Sequence, residues 1–120
     1  MEDWQPVCRV VELEVDRPAT ALVHGQAVAV FRTVGPGGGD EVHVLGNHDP
    51  YARASVLSRG IVGRRGDVPI VGSPVHHHAF DLRTGTCLED PHVHVPVFAV
   101  RVVEGVVLVG PRLDRVVEGA

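Results

Sequence analysis

The stretch VFAVRVVEGVVLV, residues 97–109, decides the fold class, because it consists of two valine-rich runs separated by the pair Glu104-Gly105. Valine is branched at Cβ and favours extended backbone over helix. A glycine-containing pair between two such runs is typical of a tight β-hairpin. The stretch therefore predicts two antiparallel strands, Val97 to Val103 and Val106 to Val109.

The same sequence pattern continues towards the N-terminus, where short apolar runs alternate with residues that favour turns. His24-Gly25-Gln26 separates two runs, and the glycine-rich segment Gly35 to Asp40 separates the next two. This pattern favours an all-β antiparallel sandwich or partly open barrel. The remaining predicted strands are Trp4 to Val11, Ala19 to His24, Ala27 to Arg32, Glu41 to Leu45, Ile61 to Arg64, Ile70 to Gly72 and Ala79 to Leu82.

Length, charge and hydropathy exclude several functional classes. The 120 residues correspond to one domain at the usual size of roughly 150 residues. The formal charge is −4, and all 11 basic residues are arginine. Nucleic-acid binding is not expected, because the chain lacks the basic excess that contacts phosphates. No apolar run approaches the roughly 20 residues that cross a bilayer, and the acidic start Met1-Glu2-Asp3 is unlike a secretion signal, so we expect a cytoplasmic protein.

Two loops interrupt the strand pattern in the middle of the chain. The first, GNHDPYARA, covers residues 46–54, and the second, GSPVHHHA, covers residues 72–79. Loops on a rigid β scaffold are the usual positions of binding and catalytic residues. We therefore expect one domain over residues 1–110, with a smaller two-loop subdomain at residues 46–85 and a C-terminal tail at residues 111–120. The two cysteines, Cys8 and Cys87, are expected to be small buried thiols.

The two loops resemble those of Rieske iron-sulfur domains, in which a C-x-H loop and a C-x-x-H loop bind one [2Fe-2S] cluster. The FDLRTG segment at residues 80–85 and the PVFAVRV segment at residues 96–102 also match that family, so the resemblance covers nearly the whole chain. It implies a Rieske-like antiparallel β fold. The four vestigial ligand positions carry Asp49, Tyr51, Ser73 and His76. Three of four ligands are therefore missing, and the resemblance implies no cofactor, metal or catalytic group in this chain.

Together with this ligand loss, the LSRGIVG segment at residues 57–63 is similar to the family of small subunits of assimilatory NAD(P)H-dependent nitrite reductase. The resemblance implies a large-subunit partner that carries FAD, a [4Fe-4S] cluster and siroheme and reduces nitrite to ammonium. This chain would then be an accessory, structural or regulatory subunit of that oxidoreductase. The loops would present its partner surface, for which the candidate contacts are Asp49, Tyr51, Arg53, Ser73, His76, His77 and His78.

Two other functions stay open from the sequence. The first is a Rieske-type ferredoxin that carries electrons with unusual ligands. The second is a histidine-rich metal-binding β protein, because His76 with His78, and His92 with His94, would each point to one side of an extended segment. Two such pairs would bind Zn²⁺ if they converged.

Overall fold

In the computed structural model, which describes residues 4–75 and 77–113, nearly all of the regular secondary structure is β-strand. The strands are β1 (Gln5–Arg9), β2 (Ala19–Val23), β3 (Gln26–Val34), β4 (Asp40–Gly46), β5 (His48–Asp49), β6 (Ala54–Ser55), β7 (Ile61–Arg65), β8 (Val68–Gly72), β9 (Ala79–Asp81), β10 (Val97–Val103) and β11 (Val106–Arg112). Two single-turn 3-10 helices, Val10–Glu12 and Leu57–Arg59, complete the elements of those ranges. Neither is long or apolar enough to cross a membrane. The all-β prediction is confirmed.

The strands form one large sheet and two small ones, and every strand pairing is antiparallel. The large sheet has the order β1-β11-β10-β4-β3-β2, and the small sheets are β7-β8-β9 and β5-β6. Both small sheets fall within the two-loop segment at residues 46–85. The chain therefore leaves the large sheet after β4, builds the small sheets, and returns to pair β10 with β4.

Two-residue turns fix the register of two hairpins of the large sheet, β2–β3 and β10–β11. His24 and Gly25 connect β2 to β3 with φ of 51° and 78°, and Glu104 and Gly105 connect β10 to β11 with φ of 51° and 80°. Positive φ at both central residues is the type I′ turn, whose twist matches that of the flanking strands. The hairpin predicted from Glu104-Gly105 is confirmed, with Val103 opposite Val106.

The side chain of Gln5 joins the two outer strands of the large sheet. Its Nε2 donates to the carbonyl of Leu22 at 3.0 Å, and its Oε1 accepts from the amide of His24 at 3.2 Å. A primary amide offers the same donor and acceptor pair as a backbone peptide group. Gln5 on β1 therefore bridges to β2 and nearly closes the sheet into a barrel.

Both faces of β3 are buried, each in a different core. Val28 and Val30 lie in the core inside the curved sheet, whereas Ala29 and Phe31 lie in a second core on its outer side. Successive residues of a strand point to opposite faces, so one strand serves both cores. The second core also contains Leu57, Val71, Phe80, Leu82 and Cys87. This second core packs the small sheets, and with them the two loops, against the large sheet.

The structure differs from the sequence prediction at several places. The last strand continues to Arg112 instead of ending at Val109, and one extra residue in β11, a bulge, pairs Phe98 with Arg112. Pro111 is accommodated there because it lies beyond Val109, the last residue of β11 that pairs with β1. Cys8 was expected to be a buried thiol but is only half-buried, because it lies on outer strand β1. The predicted tail beyond Leu113 lies outside the described residues.

Candidate functional site

The two loops of the subdomain are joined by a hydrogen bond between buried side chains. The hydroxyl of Ser73 in the second loop donates to Oδ2 of Asp49 in the first. Asp49 is fully buried and Ser73 is 1% exposed. These are the two positions at which the Rieske pattern has cysteines. Asp49 and Ser73 therefore link the loops where cluster thiolates would otherwise link them.

The two side chains also organise their own loops in the same way. Oδ1 of Asp49 accepts from the amides of Tyr51 at 2.8 Å and Ala52 at 3.3 Å, and Oγ of Ser73 accepts from the amide of Val75 at 3.3 Å. Such short polar side chains stabilise turns by capping nearby amides. Asp49 and Ser73 therefore each stabilise the turn of the loop in which they lie.

Each loop then turns back four residues after its capping side chain. The amide of Arg53 donates to the carbonyl of Asp49 at 2.7 Å, and the amide of His77 donates to the carbonyl of Ser73 at 3.0 Å. Arg53 and His77 both adopt left-handed backbone, with φ of 56° and 61°. That conformation costs a non-glycine residue roughly 1–2 kcal/mol. The two loops are therefore built alike, and their hydrogen bonds offset a similar cost in each.

Tyr51 occupies the position of the first histidine ligand, and its ring stacks on His78. The ring centroids are 3.6 Å apart and the planes differ by 3°. The Tyr51 hydroxyl donates to Sγ of Cys87 at 3.6 Å, and the ring lies 6.4 Å from that of Phe80. The face of Tyr51 is therefore covered by an imidazole, and its hydroxyl reaches into the second core.

A chain of polar contacts continues behind this stack. Sγ of Cys87 donates to Oε1 of Glu89 at 3.6 Å, and the amide of Ala79 donates to the same oxygen at 2.9 Å. The other carboxylate oxygen of Glu89 pairs with Arg65 at 2.9 Å. These contacts explain why the pKa values of Tyr51 and Glu89 differ from those of free side chains. The hydrogen bond to Cys87, together with burial, raises the pKa of Tyr51 to about 12, and the Ala79 amide lowers the pKa of Glu89.

The side chains at the vestigial positions do not fit a Rieske cluster. Such a cluster requires two thiolates and two imidazoles. Asp49 and Ser73 offer oxygen, and both Asp49 oxygens accept hydrogen bonds from the protein. Tyr51 keeps its proton well above neutral pH. Cys87 is buried and in contact with Tyr51 and Glu89.

The candidate partner contacts differ in accessibility. Arg53 and His77 are exposed, whereas His78 is half-buried in its stack. The burial of Asp49 and Ser73 removes both from the accessible surface, because their side chains turn inward to bond each other. His76 lies outside the described residues.

No group of three or more potential metal ligands comes together within residues 4–75 and 77–113. His92 and His94 lie exposed before β10. Sequence reasoning missed Cys87 and Glu89 as neighbours of Tyr51. No local pattern signals this, because 36 residues separate Tyr51 from Cys87.

Comparison with known proteins gives consistent matches. The model of the Rieske-like [2Fe-2S] domain family matches residues 3–110. The nitrite reductase (NADH) small subunit of Salmonella typhimurium is 36% identical over 107 residues, which cover 89% of this chain and 96% of that protein. A crystal structure described as an NADH-dependent nitrite reductase small subunit from Mycobacterium tuberculosis has a TM-score of 0.84 and 42% identity, covering 92% of this chain and 96% of that one.

Two further matches bear on function. A Klebsiella oxytoca nitrite reductase [NAD(P)H] large subunit is 34% identical over 107 residues, which are 89% of this chain but 11% of that protein. The ferredoxin of carbazole 1,9a-dioxygenase from Nocardioides aromaticivorans has a TM-score of 0.76 at 27% identity, covering 90% of this chain and 97% of that one.

Proposed function

The chain belongs to the Rieske-like family of nitrite reductase small subunits, and from this membership we propose that it is the accessory subunit of an NAD(P)H-dependent nitrite reductase. Its partner is the large subunit of that enzyme. The match within the Klebsiella oxytoca large subunit supports this assignment, because a domain that occurs inside a larger chain in one organism commonly binds that chain where the two are separate.

The observation that carries an accessory role is the hydrogen bond between Ser73 and Asp49. An electron carrier of this fold needs its cluster between the loops. Here a serine and an aspartate bridge the loops, and the Tyr51–His78 stack lies beside them. These side-chain contacts and the backbone hydrogen bonds of each loop support a tip of Rieske shape that needs no cluster. We propose that this preshaped tip, and not a redox group of this chain, is what the subunit contributes.

The chemistry then belongs to the large subunit. We propose that FAD, a [4Fe-4S] cluster and siroheme reside there and that nitrite is reduced to ammonium there, in the cytoplasm, with NADH or NADPH as electron donor. This chain supplies neither a catalytic group nor a cofactor. Its exposed tip residues Arg53 and His77 are the proposed contacts with the large subunit.

Co-purification with the large subunit tests the proposal. A tagged large subunit from the same organism is co-expressed with this chain, and we expect the two to elute together in a fixed ratio. NADH-dependent nitrite consumption under anaerobic conditions is then compared with and without this chain. The proposal requires binding and a change in turnover, stability or cofactor content of the large subunit. Absence of binding overturns it.

A Rieske-type ferredoxin is the second candidate, favoured only by the similarity to the carbazole dioxygenase ferredoxin. The donor set at the vestigial positions argues against it, because a ferredoxin needs thiolate ligands. Iron content and the visible spectrum of the anaerobically purified chain discriminate the two functions. Two iron atoms per chain with visible absorption would establish the ferredoxin.

A further inference from the structure

An open groove of about 410 Å³ runs along the outer face of the β7–β8 hairpin. Two antiparallel pairs form its floor, Ile61 opposite Gly72 and Gly63 opposite Ile70. The alternate residues of the same strands, Val62 and Val71, pack against the second core. The hairpin therefore has one face covered by the protein and one that nothing in the described chain covers.

The floor of the groove is apolar and concave. Ile61 is 76% exposed, which is a large exposure for an isoleucine on a strand. The two glycines leave space between Ile61 and Ile70, and a Cβ at Gly63 would meet no atom within 4 Å. Packing within the chain thus does not require glycine at position 63. An exposed apolar surface of this kind beside polar residues is typical of an interaction site.

The rim of the groove is basic. Arg59, Arg64 and Arg65 line it, and no acidic residue of the described chain does. Arg65 is paired with Glu89, whereas the hydrogen bonds of the Arg64 guanidinium to described residues go to the backbone carbonyls of Val34 and Asp67. Within the described residues, Arg59 makes no hydrogen bond or ion pair through its side chain. This positive rim contrasts with the charge of −4 of the whole chain.

We propose that this groove binds an acidic segment of the nitrite reductase large subunit, with an apolar side chain of that segment over Ile61 and Ile70 and its carboxylates at Arg59 and Arg64. The inference rests on the proposed function and assigns its docking surface. Pro74 and His77 of the second loop also line the groove. The groove is thus continuous with the exposed tip, and the interface extends from the tip along the hairpin.

Two charge variants with matched controls test the docking surface. Gly63→Glu places a carboxylate in the open floor, where it competes for Arg59 and Arg64, and Arg59→Glu reverses a rim charge without breaking an internal contact. Gly37→Glu is the control for the first, since a Cβ at Gly37 also meets nothing within 4 Å. Arg9→Glu is the control for the second, because Arg9 is exposed on β1 of the large sheet.

The affinity of each purified chain for the complete large subunit is measured by calorimetry at low salt. We expect both groove variants to bind at least about tenfold more weakly, equivalent to about 1.4 kcal/mol, and both controls to bind within about twofold of the unchanged chain. Binding of the unchanged chain should weaken as salt screens the arginines. Thermal unfolding followed by circular dichroism checks that all four variants are folded.

The outcomes separate the two proposals. If the unchanged chain binds and the groove variants bind equally well, the groove proposal is wrong while the accessory function stands. If Gly63→Glu alone weakens binding, the groove docks the partner but the acidic chemistry is wrong. If the unchanged chain does not bind the large subunit, the proposed function fails, and the groove loses its assigned occupant with it. Dimers that the groove variants dissociate would instead identify a second copy as the occupant.

Discussion

The Ser73 hydroxyl donates a hydrogen bond to Asp49, and this buried contact joins the two loops through residues that are 24 positions apart in the chain. Each partner also caps amides of its own loop. The pair therefore stands at the centre of one polar network, and each member satisfies groups that burial would otherwise leave without partners.

Removing either partner should destabilise the subdomain. Ser73→Ala leaves the buried Asp49 carboxylate with one donor fewer, which costs roughly 1.5–3 kcal/mol, the range for hydrogen bonds to charged groups. Asp49→Ala costs more, because it leaves the Tyr51 and Ala52 amides and the Ser73 hydroxyl without their acceptor. The measurement is the free energy of unfolding in urea.

Ser55→Ala is the control for these variants, since Ser55 is exposed on β6 and its removal should change stability by less than about 0.5 kcal/mol. If Ser73→Ala is no more destabilising than Ser55→Ala, the hydrogen bond does not hold the loops together.

Tyr51 should lose its proton at a much higher pH than an ordinary tyrosine does. It is the one tyrosine of the chain, so absorbance at 295 nm reports its ionisation alone. The pKa of Tyr51 is raised to about 12 in the folded protein, against about 10 for an unfolded tyrosine. A raised pKa means that the folded state holds the proton more tightly. The stabilisation that the protonated Tyr51 hydroxyl gives to the folded state is therefore complete below about pH 10. It is lost as the pH rises from about 10 to about 12.

The hydrogen bond to Cys87 is the first cause of this shift, so Cys87→Ala should move the titration of Tyr51 back towards that of free tyrosine. Cys8→Ala serves as the control, because Cys8 lies on β1 and packs against the other core. An unchanged tyrosine titration in Cys87→Ala would show that the thiol does not accept the hydroxyl proton.

Local sequence signals account for the hairpins but not for the site. Glu104-Gly105 predicts its turn because the two residues and their flanking valines contain all the information that a type I′ hairpin needs. Strands β5 and β6 were not predicted, because they are two residues long and depend on how Asp49 caps its loop. The resemblance to Rieske loops singled out the two loops that the Ser73–Asp49 hydrogen bond joins.

The contacts inside the site depend on the tertiary fold. The partner contact at His78 stays a prediction, whereas the stack of its ring on Tyr51 forms because the two loops converge. Spacing along the chain does not encode this. The groove was missed for a similar reason: the strand from Ile61 was predicted, but the open face that Ile61 and Ile70 form together follows only from the pairing of β7 with β8.

Gly110 should not tolerate a side chain, because the ring of Trp4 lies against it. A Cβ at Gly110 would come within 2.8–2.9 Å of three ring carbons, and the ring is held on its face by Arg101 at 4.2 Å. Gly110→Ala should therefore cost roughly 1–3 kcal/mol through overpacking and shift the fluorescence of the one tryptophan. Gly37→Ala, in open space, is the control. Unchanged fluorescence and stability in Gly110→Ala would contradict this packing.

Loss of the Gln5 side chain should weaken the contact between the outer strands β1 and β2, which nearly closes the large sheet into a barrel, without unfolding the protein. Gln5→Ala removes the hydrogen bonds from β1 to Leu22 of β2 and to His24 of the following turn. Because both are exposed, the cost should be no more than about 0.5–1.5 kcal/mol each. Gln5→Glu retains the acceptor for the His24 amide but places an anion beside the Leu22 carbonyl, so it should open the seam as well. Hydrogen exchange resolved by residue should show faster exchange at His24 in Gln5→Ala than in Gln5→Glu. Exchange at the Glu104-Gly105 turn, which Gln5 does not contact, should be the same in each protein. Equal exchange at His24 in the unchanged chain, Gln5→Ala and Gln5→Glu would mean that backbone contacts alone close the sheet.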